Sequence, residues 1–124
     1  MPAFELPGPI EGDAAFRSGS TLVAFFGTDC RGCRAAMPDF ARTSVYDYQQ
    51  VLAVIRGDDR EQVDELTRQL LDTPATVADG PVAEQLWRTF EVSISPSFYE
   101  YRDGALTAAH LGYGQFRAAV LRAR

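Results

Sequence analysis

The chain's two cysteines, Cys30 and Cys33, stand in one C-x-x-C, Cys30-Arg31-Gly32-Cys33. Residues three apart at the start of a helix share one face, roughly 5 Å apart at Cα, which is within the reach of a disulfide. The pair can therefore pass between dithiol and disulfide without moving the backbone. The helix N-terminus, with its free N–H groups and positive dipole end, stabilises a thiolate at the first position. Cys30 is thus the expected nucleophile and Cys33, one turn deeper, the resolving thiol. Asp29, Arg31 and Gly32 surround the nucleophile and are the candidates for tuning its pKa, Arg31 favouring the thiolate and Asp29 opposing it.

Such a pair does thiol–disulfide exchange. The Cys30 thiolate attacks a partner's disulfide, and Cys33 then resolves the mixed disulfide; run backwards, the same steps oxidise a dithiol. Other uses of a C-x-x-C fit less well. A zinc site needs two further ligands, and the chain offers one histidine and no third cysteine, so no metal is expected. A purely structural bridge across so short a loop would constrain the unfolded chain little. No bound cofactor is required.

The elements around the motif are those that would position it. Leu22–Phe26 is a continuous apolar run ending at Gly27, the pattern of a strand buried on both faces. From Arg31 to about Tyr48 the apolar positions Met37, Phe40, Ala41, Val45 and Tyr48 recur at helical spacing, with a kink expected at Pro38. Val51–Ile55 reads as a second buried strand, Asp59–Leu71 as a helix, Ala75–Ala78 as a third strand and Val82–Phe90 as a further helix. Ser97–Tyr101 and Ala105–Leu111 flank Asp103-Gly104, a hairpin signal, and Gln115–Arg122 closes as a helix. Residues 1–20, rich in proline and glycine, form an irregular lead-in with a short extended piece at Phe4–Leu6. The order is β-α-β-α-β-α-β-β-α, with strands separated by helices expected to be parallel and the final hairpin antiparallel.

Composition bounds the rest. A chain of 124 residues with 46% apolar residues is one domain, 1–124, able to build a core without disulfides. The net charge of -5, with all twelve basic residues arginine and dispersed, excludes a nucleic-acid face. No stretch approaches the ~20 apolar residues that span a bilayer, and the first residues lack a signal-peptide pattern. A monomer is expected.

Leu22–Gly27 leading into Cys30-Arg31-Gly32-Cys33-Arg34-Ala35-Ala36-Met37-Pro38, together with Ser95-Pro96-Ser97 before the hairpin, resembles the thioredoxin-like thiol-disulfide oxidoreductases of the TlpA/ResA and MauD-like kind. The matches cover about residues 20 to 114. The resemblance implies an α/β thioredoxin-like fold, a central mixed sheet flanked by helices. It also implies a cis Pro96 facing the cysteines, with Ser95 offering its backbone to an extended substrate. A proline there makes a sharp turn and removes a donor, leaving the preceding backbone groups free for a ligand. The partners implied are a protein thiol or disulfide substrate and a second redox partner. An extracytoplasmic, membrane-anchored precursor follows from the resemblance; a native Met1 would place the protein in the cytoplasm.

The chain also departs from that pattern. Ala24 stands where thioredoxin carries a buried aspartate, Ala36 where TlpA/ResA-like proteins often carry a glutamate, and Asp29 where a tryptophan commonly precedes the first cysteine. The lost acids imply a slower reductase, a water-mediated proton route, or an acid from elsewhere, Asp29 being nearest in sequence. An oxidant or isomerase is the other direction, toward which Arg31 acts. A non-catalytic binding module on the same fold is the alternative. A thiol peroxidase is a weaker one, because its threonine belongs three residues before the reactive cysteine and Thr28 is two before Cys30.

Of the remaining residues, His110 reads as a half-exposed strand histidine rather than a base. Leu86, Trp87 and Phe90 share one helical face and read as core. Phe25 and Tyr99 read as core as well, with Phe26 the one aromatic placed to form an apolar rim beside the thiols. Arg56-Gly57-Asp58 falls in a loop after the second strand and carries no adhesive role.

Overall fold

The computed structural model describes residues 19–121, so the extended piece at Phe4–Leu6 and nearly all of the lead-in lie outside the described residues. The first strand begins two residues before the apolar run at Leu22. β1 (Ser20–Gly27), β2 (Gln50–Arg56), β3 (Thr76–Ala78), β4 (Ser97–Arg102) and β5 (Ala105–Leu111) form one mixed sheet in the order β3-β2-β1-β4-β5. The helices α1 (Arg31–Arg42), α2 (Arg60–Arg68), α3 (Gly80–Thr89) and α4 (Gly112–Gln115) connect and flank it.

β1 is the central strand, and its alternation builds two cores. Leu22, Ala24 and Phe26 pack with Cys33, Ala36, Met37 and Phe40 of α1 and Val63 and Leu66 of α2. On the other face Val23 and Phe25 pack with Ala83 and Leu86 of α3 and with Phe90 and Tyr99. A strand buried on both sides needs no polar alternation, which is why its sequence reads as one apolar run. Phe98 anchors the first core by ring contacts to Phe26, Phe40 and Phe116. Phe25 takes the same part in the second, against Trp87, Phe90 and Tyr99.

Strand directions depart from expectation in one place. β1 pairs with β2 and β2 with β3 in parallel, but β4, although it follows a helix, runs antiparallel to β1. The reason is that α3 stays at one end of the sheet. Arg56, the last residue of β2, bonds Glu84 and lies over the Trp87 ring, so the chain leaves α3 at the carboxyl ends of the parallel strands. β4 must enter from that end and run back. The β4–β5 turn is as expected, with Asp103 at φ 50° and Gly104 at φ 84°, the two positive values a two-residue hairpin of type I′ requires.

Several helices are shorter than their apolar patterns. α1 ends at Arg42, where Thr43 takes φ -127° and its hydroxyl donates to the Asp39 carbonyl; a 3-10 turn at Ser44–Tyr46 follows. Val45 stays in the first core and Tyr48 packs against it without continuing the helix. Pro38 lies inside α1. α2 begins after Asp59, whose carboxylate caps it by accepting from the Glu61 amide, and stops at Arg68, leaving Leu70 buried and Leu71 61% exposed. The last helical segment starts at Gly112, three residues early, and continues as a π-helix over Phe116–Leu121.

Tyr48 donates to Glu100 Oε1 at 2.7 Å and Glu100 Oε2 meets His110 Nε2 at 2.5 Å, so the loop after α1 is tied to β4 and β5. Burial, then the Glu100 hydrogen bond and charge, raise the Tyr48 phenol above its ordinary 10. Burial, and secondarily Tyr99, push Tyr101 up to about 12. A phenol raised on folding ionises more readily in the unfolded chain. Its stabilisation is therefore complete below pH 10 and is lost as pH climbs toward and past 12. Urea unfolding between pH 10 and 12 is expected to show this decline, and Tyr101→Phe to make it shallower. At neutral pH, Phe98→Ala is expected to cost about 3–5 kcal/mol in the same assay, through the cavity left among three rings.

Candidate active site

The turn from β1 into α1 carries the motif. Cys30 is the N-cap of α1, with extended backbone (φ -108°, ψ 116°), and its Sγ accepts the Cys33 amide at 3.1 Å. Sulfur here does what a serine or aspartate oxygen does at other helix starts, satisfying one of the free N–H groups. Cys30 and Cys33 form a disulfide with Cα atoms 5.2 Å apart. The two sulfurs have different surroundings. Cys30 is partly exposed, whereas Cys33 is fully buried in the first core, where its Sγ accepts the Gly27 amide at 3.3 Å.

The antiparallel pairing of β1 with β4 brings the second half of the site. Phe25 stands opposite Ser97, so the Ser95–Pro96 peptide, which is cis, lies beside the end of β1. The Ser95 carbonyl oxygen is 3.3 Å from Cys30 Sγ. The Pro96 carbonyl accepts the Gly112 amide at 2.8 Å, and the Ser97 hydroxyl donates to the Ile94 carbonyl, which holds the turn at both ends. Gly32 eases this approach. A Cβ there would meet Pro96 Cδ and Tyr113 Cβ at 3.3 Å each, tighter than most real contacts.

Of the residues singled out by sequence, Cys30, Gly32, Cys33, Ser95 and Pro96 converge at this point, and Asp29 joins them. Its Oδ1, the Ser95 hydroxyl and Cys30 Cβ all stand over the space left by the missing side chain of Gly27. Arg31 lies exposed in the first turn of α1. Ala24 and Ala36, where the resemblance led one to look for acids, are fully buried in the same core as Cys33. His110 is engaged by Glu100 rather than by either cysteine. Phe26 is not a rim residue: it is fully buried, because even-numbered residues of β1 face α1.

The sequence reading missed four contributors. Arg34 reaches back to the Thr28 carbonyl at 3.0 Å and braces the turn before Cys30. Tyr113 packs over Gly32, under the Arg117 guanidinium. Ile94, 48% exposed, and Trp87 line a cleft of about 480 Å³ that opens beside Asp29 and Ser95. Trp87, expected in the core, packs against the second core and Phe25 and also lines this cleft. Only Arg34, four residues after Cys30 on the same helix, carried a local signal.

A five-stranded mixed sheet flanked by helices, with a C-x-x-C disulfide at a strand-to-helix turn, is the thioredoxin fold with a cysteine pair of the redox kind. No family model and no curated protein matches the chain in sequence. Solved structures match it in fold. A Neisseria meningitidis protein described as a thioredoxin aligns with TM-score 0.67 and 25% identity, over 98% of this chain and 87% of its own. A secreted Mycobacterium tuberculosis disulfide oxidoreductase, homologous to DsbE of E. coli, aligns with TM-score 0.61 and 18% identity over 86% and 87%. The exposed lipoprotein thioredoxin of Streptococcus pneumoniae aligns with TM-score 0.61 and 20% identity over 89% and 86%. The neighbours of this chain are thus thiol-disulfide oxidoreductases of the thioredoxin fold.

The unequal burial of the two sulfurs has a direct readout. After reduction, iodoacetamide is expected to label Cys30 at least about tenfold faster than Cys33, since only the first is both accessible and at the helix N-terminus. Peptide mass mapping against time checks this.

Proposed function

We propose that this protein exchanges disulfides with a protein partner, with Cys30 as nucleophile and Cys33 as resolving thiol. The observation that carries the reading is the asymmetry of the pair: a partly exposed sulfur at a helix N-terminus, bonded to a fully buried one a turn away. In the reduced protein the Cys30 thiolate attacks one sulfur of the partner's disulfide. A Cys30–partner bond forms, the partner's S–S bond breaks, and its other sulfur leaves as a thiolate that takes a proton from solvent. Cys33 then gives up its proton and attacks Cys30 Sγ. The intramolecular disulfide forms and the partner's second thiol is released, so the partner gains two electrons and two protons. A second dithiol partner restores the starting state.

The geometry supports each step. The Cys33 amide is already directed at Cys30 Sγ and stabilises negative charge there. Ser95, preceding the cis peptide, has its carbonyl beside Cys30, where an extended partner segment would lie. Asp29, exposed and close over Gly27 beside Cys30, bears on the nucleophile rather than on the buried Cys33. Arg31 and Gly32 act on the same thiolate, the first by charge and the second by letting Pro96 approach.

No helix among the described residues is long and apolar enough to cross a membrane. The neighbours described as secreted and as an exposed lipoprotein support an extracytoplasmic place of work, where disulfides persist. The protein acts as a monomer with no metal or bound cofactor in this reading.

Insulin reduction in the presence of dithiothreitol tests the proposal. Wild type is expected to accelerate it and Cys30→Ser to abolish the acceleration, while Cys33→Ser accumulates a mixed disulfide visible on a non-reducing gel. A binding module would show equal, thiol-independent behaviour in all three.

A further inference from the structure

The cleft beside the redox pair has a chemistry of its own. Asp29 enters it from the β1–α1 turn, and Asp58 and Asp59 from the loop between β2 and α2. Among the described residues one cation lines it, Arg56, and that guanidinium is already paired with Glu84 at 3.1 Å and laid over the Trp87 ring at 5.2 Å. Three carboxylates are thus left without a matching positive charge. Asp59 spends one oxygen on the Glu61 amide.

Two further observations point to an occupant. Thr28 lines the cleft and is 4% exposed, yet no described residue bonds to its hydroxyl. Its oxygen is not sealed from solvent, so a group that enters the cleft can bond it. Trp87 and the exposed Ile94 add apolar surface beside the carboxylates. Apolar wall, hydrogen-bonding hydroxyl and unmatched negative charge together fit a long side chain with an aliphatic stem and a cationic head. Asp29 and Ser95 belong both to the cleft and to the surroundings of Cys30, so whatever fills the cleft lies within a residue or two of whatever reacts with the sulfur.

We infer that this cleft is a specificity site: it receives a lysine or arginine side chain borne by the partner segment that carries the reacting cysteine. The inference rests on the exchange reading and adds to it the class of partner, a protein whose redox-active cysteine is flanked by a basic residue. Charge complementarity at such a site acts on encounter and orientation, and so on the rate of mixed-disulfide formation.

The test uses the reduced full chain and three symmetrical peptide disulfides, with the cysteine flanked on either side by lysine, glutamate or glutamine. The rate of appearance of the Cys30–Cys33 disulfide is followed by acid quench and mass spectrometry. At low ionic strength the lysine peptide is expected to react about tenfold faster than the glutamate peptide. That ratio should shrink strongly near 0.5 M salt. Asp58→Asn is expected to narrow the ratio about threefold. Asp72→Asn, the same charge change beyond the far end of α2, is expected to leave it as in wild type. The ratio is taken within each variant, which cancels any change in thiol reactivity. Equal rates for the lysine and glutamate peptides, with the glutamine peptide reacting normally, overturn the specificity site and leave exchange standing. Equal narrowing by Asp58→Asn and Asp72→Asn assigns the preference to the net charge of the chain and overturns it too. Failure of all three peptides to react overturns both readings.

Discussion

The antiparallel pairing of β1 with β4 is the constraint from which the site follows. It places Ser97 opposite Phe25, and hence the Ser95–Pro96 turn beside the place where β1 gives way to α1. Without it, Cys30 and Cys33 would still be neighbours on a helix, but nothing would face them. With it, the exposed sulfur has a carbonyl 3.3 Å away and a proline ring against Gly32. The pairing in turn depends on α3 remaining at one end of the sheet, where Ala83 and Leu86 pack in the second core and Arg56 meets Glu84 and Trp87.

Burial distinguishes the two sulfurs. β1 supplies both cores, and α1 lies over one of them with Cys33, Ala36, Met37 and Phe40 facing inward. The same helical spacing that buries Cys33 leaves Cys30 at the cap, where the backbone N–H groups are free. A nucleophile needs access and a stabilised negative charge; a resolving thiol needs protection until a neighbour's sulfur becomes electrophilic. One turn of helix at the rim of a core provides both. The surroundings of Cys33 are otherwise apolar, and the polar groups of the site, Asp29, Ser95 and the cleft beyond, gather on the side of Cys30.

Much of this was legible in residue patterns. The apolar run Leu22–Phe26 declared a doubly buried strand because such a strand has no solvent face to mark. Asp103-Gly104 declared its turn because only certain residues tolerate two positive φ values in succession. Helix ends were less legible. Val45, Tyr48 and Leu71 continue helical spacing past the true ends, since the spacing reports burial or chance, while termination at Thr43 and Arg68 depends on local backbone geometry. Phe26 took the core rather than the rim, and Trp87 packs on the second core while also lining the cleft, because proximity to a motif in sequence does not say which face of a strand or helix a side chain takes.

By itself the sequence determined the cysteine pair, its spacing and its place between a buried strand and a helix, local matters set by three-residue spacing, backbone propensity and apolar periodicity. The proline that opposes the pair was implied by the family resemblance alone. Only the tertiary structure decided the direction of β4, the meeting of Ser95 with Cys30, and the joining of Asp29, Asp58, Trp87 and Ile94 around one cleft. Those residues lie far apart along the chain, and their assembly depends on which strands pair and at which end a helix is held, interactions that no local pattern encodes.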